Sequence, residues 1–233
     1  RMLHARVDIE GVKTQREVVK EERRLRVDNQ PYGSLLEETM KRVYKEHPYQ
    51  WPVIGSMAHL DAAEEEDYKQ FYADFYVPEN AVLSIAGDLD IKESKALIDK
   101  YFSTIPSGKK EVYRPSIVEP AMQGETRDTV YDNIQLPAVM MGYRMPPQTS
   151  NDAYALQMAS TVLSGGPSSR MYKRLVDQDQ TALSVFAFPF SLEQGGAFMT
   201  FSLANAGKTI DDMVPALEEE IANLQNELIS ERG

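Results

Sequence analysis

The sequence reads as an α/β pattern of alternating helices and strands in two successive units, and three observations carry that reading. Amphipathic stretches with apolar residues at i, i+3, i+4 and i+7 recur along the chain, the spacing of helices that bury one face. Short apolar strands stand between them, two of them joined by a short turn and two more by a hairpin. Between the halves, Ser103 to Gly124 holds Pro106, Gly108, Pro115, Pro120 and Gly124 with little periodicity, and reads as a linker.

The first helix is Thr14 to Arg26. Thr14 and Glu17 have the spacing of a capping box, in which hydroxyl and carboxylate satisfy free amides at a helix start. Gln15, Val18, Val19, Glu22 and Arg26 share one face, whereas Lys20, Arg23 and Arg24 fall on the other. Glu22 is thus in line with the apolar pair, while Glu21 points away. An acid on an inward stripe must be paired, hydrogen-bonded or bound to a metal, because an isolated buried charge is too costly. By itself, a helix-edge Glu reaching water or an Arg outranks the metal reading.

Val27 to Gly33 is a turn-rich break. Ser34 to Glu46 is a helix with Leu35, Met40, Val43 and Tyr44 on its apolar side, and His47 to Gly55 is a loop stiffened by two prolines. Ala62 to Phe75 is a helix whose acids Glu64, Glu65, Glu66 and Asp67 suit the positive end of the dipole. Asn80 to Ala86 reads as a buried strand. Asp88 and Asp90 then cap a helix, Ile91 to Phe102, rather than hold a cation.

In the second half, Glu125 to Asn133 and Ala138 to Met145 read as paired strands. Asn151 to Ser164 is a helix, and Gly165-Gly166-Pro167-Ser168-Ser169-Arg170 breaks the chain before Met171 to Val176 resumes one. The Lys-Ser/Thr ending of a phosphate loop is absent, so this is a helix-to-helix turn. Leu183 to Ser191 and Gly195 to Asn205 form a hairpin. Thr209 to Ile229 is the longest helix.

Composition excludes several functions. The net charge of −11 argues against nucleic acid as a partner. With no Cys, disulfides and thiolate metal sites are ruled out. No apolar run is long enough to cross a bilayer, and Arg1 to Arg6 lack a signal-peptide core. Those residues read as the end of a helix already in progress, and Glu231-Arg232-Gly233 closes without a terminating element. The expectation is a piece of a longer protein.

An ordered set of short motifs resembles the insulinase or pitrilysin family of zinc peptidases, the inverzincins, in its short bacterial branch. The set is Arg16 to Arg24, Asp28-Asn29-Gln30-Pro31-Tyr32-Gly33, His47-Pro48-Tyr49 with Pro52-Val53-Ile54-Gly55, Phe71-Tyr72, Tyr76 to Ala81, Ala86-Gly87-Asp88, and Gly165 to Tyr172. The resemblance implies an α+β fold instead, with two-layer domains of helices on an antiparallel sheet. It places the later part of one domain at 1–108, a linker at 109–124 and the early part of the next at 125–233.

In that family H-x-x-E-H supplies two zinc ligands and a Glu on a later helix the third. Matched here, the ligand position is Glu22, the residue the facing argument also picks. A further family Glu, seven residues earlier, is matched by Gln15, which cannot act as a base. H-x-x-E-H is absent: His4 is too near Glu22 in sequence, His47 sits before proline in a loop, and His59 lacks a His or Glu at the required offset. The family's Arg and Tyr beyond the Gly-Gly turn are matched by Val176 and Leu183, so this copy does not look like the one that grips substrate.

The resemblance implies a zinc-dependent metalloendopeptidase as the full-length parent, with Zn2+ as its cofactor. The fragment itself would be inactive, with no catalytic residue of its own. Peptides or small proteins would be substrates, bound by addition to a sheet edge. Partners would be the remaining domains of the same chain, or a second insulinase-like subunit or homodimer, in a bacterial periplasm or at a membrane. The alternative is a non-catalytic scaffold or partner subunit.

Overall fold

The computed structural model describes residues 5–108 and 111–229. His4 and the closing Glu231-Arg232-Gly233 lie outside them. The residues form two compact units, Arg1–Leu25 with Ile54–Ile117 and Arg26–Val53 with Val118–Gly233. The chain therefore passes between units three times, and 26–53 packs with the second half of the sequence.

The first unit is helical. Helix α1 spans Ile9–Arg23. It starts earlier than Thr14: the Asp8 carboxylate accepts from the Gly11 amide at 2.8 Å. The Thr14 hydroxyl donates to the Glu10 carbonyl at 3.0 Å, inside the helix, so the expected Thr14–Glu17 capping box does not form. A π-helical turn, Arg24–Asp28, continues α1.

The single helix expected over Ala62 to Phe75 is two, because two caps stand in the sequence. Ser56 caps α3, Met57–Ala62. Glu64 and Asp67 then make a capping box that starts α4, Glu65–Phe75, with its acids in the first turn. Helix α5 has the expected ends, Ile91–Phe102, with Asp90 accepting from the Glu93 amide at 2.7 Å.

Asn80 to Ala86 is not a strand. Among the described residues this unit holds no strand at all, so the segment has no ladder to join. The side chains of 81–86 stay in the open, with Val82 at 97% exposure.

The second unit holds a sheet of order β1-β3-β2, with β1 at Ala138–Arg144, β2 at Ala182–Leu192 and β3 at Gly195–Ala204. Both pairings are antiparallel; Thr200 faces Met141 on one side and Ala187 on the other. The hairpin is where the sequence puts it. Glu125 to Asn133 is not a strand, and β1 pairs with β3 instead. Residues 125–131 are exposed, and Asp128 and Arg127 bind Arg42 and Glu218 through side chains, not through a ladder.

Alternation along β3 divides the core. Phe198 joins Leu163, Met171, Leu175, Met213 and Leu217 under α6, Asn151–Ser164, and α7, Ile210–Asn226. Ala197 and Met199 face the other way, onto Met40, Val43 and Tyr44 of α2, Leu35–Val43, and its end. Helix α2 closes at Tyr44, short of the expected Glu46. It approaches β1 at Gly142, where a Cβ would stand 2.7 Å from the Thr39 methyl and 2.9 Å from a Val43 methyl. The Gly165 to Arg170 turn links α6 to a π-helical turn, Tyr172–Gln178, where a short helix was expected. Gly166 supplies the left-handed φ of 122° this turn requires.

Candidate functional site

Helix α1 carries the residue matched to the metal ligand, and its packing is set by basic side chains. Val12 is buried, and Arg16, Val19, Lys20 and Arg23 follow it at helical spacing, all partly buried. The Arg16 guanidinium donates to the Ala63 carbonyl. Lys20 Nζ is 2.8 Å from Asp61 Oδ1, and Arg23 donates to the Gly55 carbonyl at 2.8 Å. Helix α1 is thus bound to the 55–63 segment through three long cationic stems whose heads reach carbonyls and one carboxylate.

This corrects the expected inward stripe. Gln15 is exposed and Val18 is 54% exposed, while the supposed outer residues Lys20 and Arg23 face the 55–63 segment. A period fitted to two valines misses this, because the amphipathic stems of Arg and Lys do the packing. The legible signal was the cationic spacing 16, 20 and 23. The hydrogen bond from Lys20 holds the Asp61 carboxyl below its ordinary range, and Asp61 in return raises the Lys20 ammonium.

Glu22 is partly buried and Glu21 exposed, the expected ranking of the two. Among the described residues no three His, Asp or Glu side chains come together as a group that could hold a metal ion. One carboxylate does not meet the three protein ligands of a catalytic zinc, so these residues do not by themselves fit the ion. His59 is exposed on α3. His47 is built into the second unit: its Nε2 meets Gln194 Oε1 at 3.0 Å and its Nδ1 accepts from the Tyr49 amide at 3.2 Å. Val176 packs against the larger core, and Leu183 is 55% exposed on β2.

Residues 63–232 match the family described as the peptidase M16 inactive domain. The chain belongs to the peptidase M16 family. The zinc protease PqqE of Helicobacter pylori is 32% identical over 216 residues, 92% of this chain and 48% of that protein. An uncharacterized zinc protease of Mycobacterium leprae is 26% identical over 231 residues, 99% of this chain and 52% of that one. The chain therefore spans about half the length of these curated M16 relatives. The crystal structure of a protease from Helicobacter pylori superposes with a TM-score of 0.88 at 28% identity, covering 97% of this chain and 55% of that one. Helices packed on a small antiparallel sheet are thus the M16 fold, as expected.

Proposed function

We propose that this chain is part of a zinc-dependent M16 metalloendopeptidase that hydrolyses peptides or small proteins, and that Glu22 is one of its three protein zinc ligands. The observation that carries the reading is the similarity to a zinc protease along 92% of the chain. Glu22 supports it as the partly buried acid on a helix whose other side is fixed by Arg16, Lys20 and Arg23. A ligand must be held in place by its surroundings, and three anchors along α1 do that for its backbone.

On this reading 1–108 and 125–233 are parts of successive M16 domains joined by 109–124, with 26–53 lent to the second unit's sheet. The histidine ligands come from the rest of the parent. The compartment is the bacterial periplasm or a membrane surface, as the family branch suggests. In the full-length protein, Glu22→Gln should lower bound zinc per chain by at least about tenfold, measured by metal analysis after dialysis. Unchanged zinc would remove Glu22 from the ligand set. The isolated chain should cleave no peptide, and robust zinc-dependent cleavage by it would overturn the division of labour.

A second reading, a non-catalytic scaffold or partner of an active subunit, is favoured by Gln15, Val176 and Leu183 at positions where the family pattern has Glu, Arg and Tyr. A full-length protein that holds no zinc would establish it.

A further inference from the structure

One well-buried carboxylate has no part in the metal reading. Glu119 lies near the end of the proline-rich stretch, and its side chain is only 7% exposed. Its Oε1 accepts from the Lys45 amide at 2.7 Å and from Arg144 Nη2 at 3.1 Å. Its Oε2 accepts from the amides of Glu46 at 2.9 Å and His47 at 2.7 Å. Three successive N–H groups converging on one anion form a concave backbone nest, the kind of site that proteins use for carboxylates and phosphates.

The position is unusual for an anion. The nest follows the C-terminus of α2, where the helix dipole is negative. Arg144, on β1, reverses that field. Its Nε donates to the Val43 carbonyl at 2.8 Å, satisfying a last-turn acceptor, and its Nη1 donates to the Pro120 carbonyl. The guanidinium also lies 5.6 Å from the centre of the Tyr44 ring. The Tyr44 hydroxyl in turn accepts from the Gly196 amide at 2.8 Å and donates to the Gly196 carbonyl at 2.9 Å. The end of α2, the end of the linker, β1 and β3 all meet at this point.

We infer that residues 45–47 and Arg144 form a built carboxylate site, and that Glu119, its resident, straps the end of the linker and the segment 26–53 to the second unit's sheet. The linker is therefore not a free tether along its whole length. It is fastened at Glu119 and Pro120, and the loop that follows α2 takes its shape around the acid. The site's chemistry is general: two acceptor oxygens, one negative charge and a small volume. Emptied of Glu119, it should accept a small free carboxylate.

Amide hydrogen exchange on the full chain tests this. In Glu119→Ala the amides of Lys45, Glu46 and His47 should exchange at least about tenfold faster, while that of Thr200 in β3 stays slow. Formate should restore their protection, and chloride at equal ionic strength should not. Persistent protection in Glu119→Ala, or indifference to formate, would overturn the inference. If that variant fails to fold, Glu119→Gln keeps the shape and one acceptor oxygen. It should give faster exchange at the same amides with no response to formate, and wild-type exchange there would equally overturn it.

Discussion

In the unit of Arg1–Leu25 and Ile54–Ile117, Val82 stands 97% exposed and Ile91 72% exposed. In the unit of Arg26–Val53 and Val118–Gly233, Met199 and Leu217 are at 0%. Both halves of the sequence carry apolar stripes of similar quality. What separates them is a sheet. In the second unit three strands offer two flat faces, and helices close both. The first unit, among its described residues, offers helices alone, so Leu97 on α5 stays 46% exposed. Periodicity tells which side of an element is apolar, but burial also needs a surface to receive that side.

The largest expected effect tests that contrast directly. Leu217→Ala should cost about 2–5 kcal/mol by urea unfolding, the range for opening a cavity in a closed core. Leu97→Ala should cost less than about 1 kcal/mol, as at other exposed positions. Equal losses would break the comparison.

A smaller effect belongs to Tyr44. Tyr44→Phe keeps the ring but removes both hydrogen bonds to Gly196, and should cost about 1–3 kcal/mol, since the buried Gly196 amide loses its partner while the carbonyl keeps the Met145 amide at 3.2 Å. Its counterpart in the first unit, Lys20→Met, breaks the pair with Asp61 and should cost less, with a loss that shrinks as salt is added.

The smallest effect is with pH. Burial pushes the Glu119 carboxyl up, but the amides of His47, Lys45 and Glu46 together with Arg144 outweigh it and hold it below its ordinary value of 4.5. A depressed carboxyl contributes stability that is whole above its unfolded value and is lost as pH falls through the folded one. Acid titration of the unfolding midpoint should therefore show this loss below pH 4.5 in the wild type and not in Glu119→Gln. The exposed Asp61 follows the same sign from its ordinary 3.8, and added salt should flatten its share.

Local chemistry made much of the fold legible. Helices α5 and α6 have the ends read from Asp90 and from the glycine pair after Ser164, because caps and breakers act over a few residues. The β2–β3 hairpin was visible for the same reason. What could not be read depends on distant partners. Residues 80–86 and 125–133 have strand-like composition, yet a strand exists only through a neighbour's ladder. Segment 26–53 gives no local sign that it will pack on residues 138–204. At the site, the rank of Glu22 over Glu21 was legible. The face was not, because Arg16, Lys20 and Arg23 pack through their stems while a hydropathy pattern counts only their charges.

The threefold passage of the chain between its units has a consequence for cleavage. A single nick at residues 117–118 would not yield two independent bodies, because the amino-terminal piece keeps α2, the helix that covers one face of the carboxyl-terminal piece's sheet. The two fragments are complementary halves of one core, and co-expressed they would reassemble through that helix as a split protein does.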